Sequence, residues 1–215
     1  MPPLLLNLKS ILTPKTASSP VSHPIRMSGQ HRAEFARISQ PLPDELYDQI
    51  LLLINRKRAA SHQLLHWRSL PYGSHAKVFP RTAQEALTCK RNGRTVSLYE
   101  RNSNNGIVWI FDKAVHRKIA AKVISIWQVD CDGHLKTFLE IGCFRALSPA
   151  DASKDWFRRH PFLFVSLFYA DCGESIMIED TSIVCHGAAR VRPVGTFGIG
   201  FETILVADLD RGRTM

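Results

Sequence analysis

From about Arg94 to Ala207 the apolar residues fall in short runs rich in β-branched and aromatic side chains, each bounded by Gly, Asn, Asp or Pro. That is the signature of consecutive strands. Helical spacing stands out once. Leu46, Ile50, Leu53, Lys57, Ala60 and Leu64 recur every three or four residues. Pro41 and Pro43 stand just ahead of Asp44 and Glu45, where prolines open a helix and acids suit its first turn. The spacing predicts an amphipathic helix from Asp44 to His66, covering one face or end of the β region.

Pro71-Tyr-Gly73 ends that pattern, and Arg81 to Leu87 predicts a short helical turn. Asn92-Gly93 is a tight-turn signal, followed by a strand at Thr95–Tyr99. Asn102 to Gly106 reads as a loop. Ile107–Phe111 and Ile119–Val129 read as strands. Cys131-Asp-Gly133 turns the latter into Leu135–Phe144, giving an antiparallel hairpin. Ser148–Phe157 is expected to be a short helix or ordered loop. Phe162–Tyr169, continuously apolar, reads as a central strand buried on both sides. Ser175–Glu179, Ile183–His186 and Glu202–Ala207 complete the set, the last after the Gly-rich passage 193–200.

These elements define a mainly β fold, a small barrel or sandwich of seven to eight strands with one N-terminal amphipathic helix. The expected organisation is a disordered, basic, Pro/Ser-rich leader at 1–39, the helix at 40–70 and a β domain at 71–212. No internal repeat is visible.

Charge sharpens the picture. The chain of 215 residues has a formal net charge of +9. Lys and Arg outnumber Asp and Glu by 9 to 4 in residues 1–75 and by 10 to 5 in 76–135, whereas residues 136–215 hold 9 against 10. Such asymmetry favours a polyanionic partner. Phosphate contacts are expected from Arg56, Lys57, Arg58, Lys90, Arg91, Arg94, Arg117, Lys118 and Lys122. Residues 1–39 carry five basic residues and one acid, Glu34, a composition like a mitochondrial presequence. Five prolines there oppose a long amphipathic helix, so a basic arm and a nuclear location are expected, with the mitochondrion as the alternative. The five cysteines are irregularly spaced, which argues against a disulfide framework. No apolar run reaches the ~20 residues that span a bilayer, so no membrane partner is expected.

Chemical motifs are sparse. Cys131-x-x-His134 has ligand-like spacing, but no second spaced pair completes a tetrahedral zinc set. Cys185 and His186 are adjacent on a strand and point to opposite faces, so they do not form a Cys/His pair. His186 is expected at a sheet edge or in a loop. Gly195 to Gly200 fits neither dinucleotide nor Walker spacing. Glu179-Asp180 and Asp208/Asp210 read as solvated acids. No catalytic residue, metal or cofactor is assigned. Tyr99, Trp109, Phe111, Trp127, Trp156 and Tyr169 fall in or beside β elements. They could stack bases, although Ile107, Trp109 and Phe111 alternate as a core-facing strand would.

Several motifs occur in order: Pro80-Arg-Thr-Ala-Gln84, Leu87 to Thr95, Phe144-Arg-Ala-Leu-Ser-Pro-Ala-Asp151, Ile183-Val-Cys-His186, Gly195-Thr-Phe-Gly198 and Leu209-Asp-Arg-Gly212. Together they resemble the C-terminal accessory β region of fungal transposon-encoded proteins, those associated with Kyakuja-Dileera-Zisupton and CACTA transposases. The resemblance spans roughly Ser39 to Gly212. It implies an accessory domain of unestablished activity, with catalysis residing elsewhere; taken with the basic first 135 residues and the β module, the expectation is a non-enzymatic domain contacting DNA or chromatin. The bromo-adjacent-homology barrel of chromatin proteins is a looser analogy of fold. The alternatives are a protein- or peptide-interaction module, a metal-dependent nuclease, and a transposon remnant without function.

Overall fold

The computed structural model describes residues 39–69, 77–112 and 116–210. The expected leader therefore lies outside the described residues, apart from Ser39. That residue opens a short strand, β1 (Ser39–Pro41), which the sequence pattern did not show.

Helix α1 (Asp44–Asn55) begins where the prolines place it, with Pro43 at the N-cap and Asp44 and Glu45 in the first turn. Its buried stripe is Tyr47, Ile50, Leu51 and Ile54, the i, i+3, i+4, i+7 face. The helix stops well short of the expected His66. The Asn55 carboxamide folds the chain back, donating to the Leu64 carbonyl at 2.9 Å and accepting from the Leu64 N–H at 2.9 Å. Leu64 thereby reaches the same apolar cluster as Ile50 and Ile54 by a return of the chain. Its helical spacing was a coincidence of two routes to one core. Single 3-10 turns follow at Ala60–His62 and Trp67–Ser69.

The remaining elements are β2 (Thr82–Glu85), β3 (Thr88–Arg91), β4 (Arg94–Ser97), β5 (Ile107–Asp112), β6 (Arg117–Cys131), β7 (His134–Ala146), the short α2 (Pro149–Ala152), β8 (Val165–Glu179), β9 (Ile183–Arg192) and β10 (Thr203–Asp208). Strand β2 replaces the expected helical turn. It pairs with β1 and with the Trp127–Gln128 stretch of β6, and Ala83 is buried in that seam. The Asn92-Gly93 and Asp132-Gly133 turns form as expected. All four residues have positive φ, which tight hairpins require.

The fold is a barrel. Six strands close in the order β6-β5-β9-β10-β8-β7, with the long β6–β7 hairpin sealing the ring and every neighbouring pair antiparallel. Strands β1 and β2 extend the sheet from β6, and β3–β4 is a separate hairpin. One cluster receives side chains from all six barrel strands and is the interior: Ile107, Trp109, Ala120, Phe144, Phe168, Cys185, Ile204 and Val206. The other faces are covered in sections. The β3–β4 hairpin places Cys89 and Val96 over Val108, Ile110 and Val123. Helix α1 packs on Trp127, Val129 and Phe138. Ile199, with Phe157 and Phe197, covers Leu167, Tyr169 and Leu205.

The Phe162–Tyr169 segment differs from expectation. Pro161–Leu163 is a 3-10 turn, Phe164 adopts φ 52°, and β8 begins only at Val165. Pro161 has no N–H for a ladder, so the apolar run is broken at its start. Phe162 and Phe164 are exposed rather than central.

Candidate nucleic-acid interface

The nine cations expected to contact phosphate differ in how far the fold engages them. Lys57 forms an ion pair with Glu179. Arg58 lies 2.6 Å from Asp132, which also pairs with Lys77 at 3.1 Å. These hydrogen bonds from Arg58 and Lys77 hold the Asp132 carboxyl below the usual range. Lys118 lies 3.2 Å from Asp208. Lys122, paired on β6 with Ile107 and Gly142, lies 6.0 Å from the Tyr99 ring centre. Arg91 is half-buried on β3. Arg56, Lys90 and Arg117 are exposed and have no ion-pair partner among the described residues.

Arg94 is structural. Its Nε lies 2.9 Å from Asp210 and its Nη2 donates to the Leu209 carbonyl at 3.0 Å. Asp210 also accepts from the His186 backbone N–H at 2.8 Å and lies 3.1 Å from His186 Nδ1. Burial alone raises the Asp210 carboxyl, but the His186 N–H and imidazole and the Arg94 guanidinium outweigh it and leave it below the usual range. His186 is therefore not at a sheet edge or in a loop. It is buried in a central barrel strand and ties the chain after β10 to β9, while Arg94 ties it to the hairpin.

The other candidate groups are also occupied. Cys185 faces the interior, and burial, with Asp208 beside it, pushes its thiol up to about 12. Cys131 is buried under α1, whereas His134 across the hairpin is exposed. Among the described residues no group of three or more His, Cys, Asp and Glu gathers as a metal set. Glu179 and Asp208, expected to be solvated, are held by Lys57 and Lys118. Of the six aromatics, Trp109, Trp127 and Tyr169 are core, Tyr99 is half-buried, and Phe111 and Trp156 are about half exposed.

Trp156 belongs to a surface feature that was not expected. Between α2 and β8 runs Trp156-Phe-Arg-Arg-His-Pro-Phe-Leu-Phe164. Asp155, itself buried, caps the Trp156–Arg159 turn by accepting from the Phe157 N–H at 2.9 Å. Burial pushes the Asp155 carboxyl up against the pull of that N–H and of Arg158, which is 3.8 Å away. The turn presents Trp156 (51% exposed), Phe162 (66%) and Phe164 (52%) to solvent. The His160 ring bridges two of them, 4.1 Å from Trp156 and 5.6 Å from Phe162 between ring centres. Arg158 and Arg159 are exposed within the same run. The result is a ridge that exposes three aromatic rings and the adjacent Arg158 and Arg159. Adjacent arginines bracketed by aromatics were the available signal, hidden by reading Phe162 onward as core.

Beside the ridge the barrel opens. The β6–β7 ladder runs from Cys131–His134 to Ala121–Cys143 and ends there. Arg117–Ala120 then pairs with β5, while Phe144 and Ala146 pair with β8. Between the parted strands lies a cleft of about 460 Å³, with Ile119, Phe144 and Phe168 in its walls and Arg117, Lys118, Arg145 and Arg158 around it. Arg145 is fixed by two contacts to Asp171, at 2.8 and 3.1 Å.

Comparison with protein-family models, curated proteins and solved structures gives no match in any of the three.

Proposed function

We propose that this chain is a non-enzymatic nucleic-acid-binding module that holds an unpaired strand against the 156–164 ridge. The observation that carries the reading is the ridge itself. Exposed aromatic rings offer flat apolar faces for bases, and the adjacent Arg158 and Arg159 meet the phosphates. That combination suits a single strand, whose bases are free to stack on protein. A duplex presents mainly its phosphates.

Charge supports the same reading in an altered form. Eight of the 28 Lys and Arg, but only one of the 19 Asp and Glu, fall outside the described residues. The described part holds 20 basic against 18 acidic residues, and most of the excess belongs to the segments outside it. In this reading those segments supply sequence-independent attraction to a polyanion, and the ridge supplies the contact. The transposon-like motifs point to the same class of partner.

The test is fluorescence anisotropy of the full chain with labelled single- and double-stranded DNA across a salt series. Single-stranded DNA is expected to bind more tightly. Trp156→Ala with Phe162→Ala should remove about 1–3 kcal/mol per lost stack. Arg158→Ala with Arg159→Ala should flatten the salt slope by roughly 0.7 per phosphate contact removed. Equal binding by the parent chain and both double variants refutes the reading. Binding unaffected by salt and carried by a peptide would instead establish the protein-interaction reading.

A further inference from the structure

We propose that the cleft where β6 and β7 part is a pocket for one unstacked nucleobase of the bound strand, an inference that rests on the nucleic-acid reading above. Three features specify a base. First, the volume of about 460 Å³ lies in the range of small-molecule sites and accommodates a nucleotide. Second, Ile119, Phe144 and Phe168 give the cleft apolar walls, while Phe164 joins it directly to the ridge. A strand lying across Trp156 and Phe162 therefore meets Phe164 at the opening. Third, the walls are strand edges. Neither Arg117–Ala120 nor the Phe144–Ala146 end of β7 has a ladder partner on the cleft side among the described residues. Such edges present main-chain N–H and C=O groups in alternation. A base edge carries donors and acceptors together and can pair with them, and in an unpaired strand that edge is free.

Phe164 supplies an independent pointer. Its φ of 52° and ψ of 37° are left-handed, an unfavourable region for a residue with a bulky side chain. Its carbonyl accepts the Asp208 N–H at 2.9 Å, which fixes this conformation. The phenyl is half exposed at the mouth of the cleft. Stacking on an inserted base is a use for it. Arg117 has no ion-pair partner among the described residues and stands at the lip of β6, placed for the phosphate of the inserted nucleotide.

The experiment compares an intact oligothymidylate with the same strand carrying one central abasic residue and with a run of consecutive abasic residues. The full chain and two cleft variants are used. Phe164→Gly removes the ring at a φ that glycine accepts readily, and Ser166→Trp fills the cavity from β8. For the parent chain, the single abasic residue can be avoided by sliding, whereas the run cannot. The run is expected to weaken binding by about 5- to 150-fold, the equivalent of one to three kcal/mol of base contact. In both cleft variants the intact strand should bind more weakly, and the loss caused by the run should shrink. Adenosine 5′-monophosphate at millimolar concentration should shift the amide signals of Ile119 and Val165 in the parent but not in Phe164→Gly. Cleft variants that bind and discriminate as the parent does overturn the pocket while leaving the ridge reading intact. No binding of any strand overturns both. Displacement of the nucleotide by polyglutamate, with strand binding unaffected by Phe164→Gly, reassigns the cleft to a peptide.

Discussion

Gly187→Ala is the sharpest test of the closed barrel. Gly187 lies on β9, opposite Ile107 of β5 and Asp208 of β10. A Cβ built there meets Ile107 Cγ2 at 2.6 Å, Trp109 Nε1 at 3.2 Å and Val206 Cγ1 at 3.2 Å. The first distance is shorter than real contacts allow, and none of the three neighbours is a flexible side chain that can swing away. Ile107 and Val206 are fully buried, and Trp109 is nearly so. The added methyl must displace strands, and overpacking of this kind costs about 1–3 kcal/mol. For a domain of this size that corresponds to a fall in Tm of roughly 2–12 °C. Thermal and urea unfolding followed by circular dichroism measure it, and a lower midpoint with unchanged slope marks lost stability. Gly173→Ala on β8 is the control, because nothing lies within 4 Å of a Cβ there. Ile107→Ala should couple to Gly187→Ala, the double variant losing less than the sum of the singles. Equal stability of Gly187→Ala and Gly173→Ala would refute the packed interior, and with it the closure of the ring.

Three further outcomes follow from side-chain contacts. Asn55→Ala leaves both Leu64 backbone groups without their partner and should cost about 1–3 kcal/mol in urea unfolding, whereas a helix that continued to His66 would gain from alanine at that position. Asp210 has a folded pKa below its unfolded value, so its contribution is fully present above the unfolded pKa and is lost as pH falls through the folded one. The parent should therefore lose more stability than Asp210→Asn below about pH 4, as read by unfolding midpoints in an acid series. With its thiol pushed up to about 12, Cys185 should react with a disulfide reagent only on unfolding, so a native chain labelled rapidly at that position counts against its interior placement.

The strands were legible because their signals are local. Asn92-Gly93 and Asp132-Gly133 impose hairpins through positive φ, and Ile107–Phe111 consists of residues that pack well on a pleated surface. What closes the barrel is not local. Strands β6 and β7 are 15 and 13 residues long, with a register shift between Val123 and Ser125. That shift lets one strand serve the barrel at one end and α1 at the other, and no period-two pattern reports it. The helix end was hidden for a related reason. Leu64 satisfies a helical period, yet reaches the core through a turn made by Asn55. Ile107 and Trp109 were legible as core, but β5 is buried on both faces, because Val108 and Ile110 pack under the β3–β4 hairpin.

The cationic site was the least legible part, and the cause is pairing at long range. Arg94 finds Asp210, Lys57 finds Glu179 and Arg58 finds Asp132, partners that sequence distance conceals. A surplus of Lys and Arg sets the sign of a protein's partner, but an interface is built from the cations that the fold leaves uncommitted. Here the fold spends Arg94 on the hairpin and Lys57 and Arg58 on anchoring the end of α1, sets Arg158 beside the buried Asp155, and leaves Arg117 and Arg159 exposed with no ion-pair partner among the described residues. A turn capped by the buried Asp155 brings the rings of the ridge out of what reads as a hydrophobic strand. The next turn, Pro161–Leu163, ends in Phe164 at the cleft where β6 and β7 separate. A strand bound on the ridge and a base held in the cleft would thus depend on one short segment. Variants there should change binding far more than stability, whereas those at Arg94 or Gly187 should do the reverse.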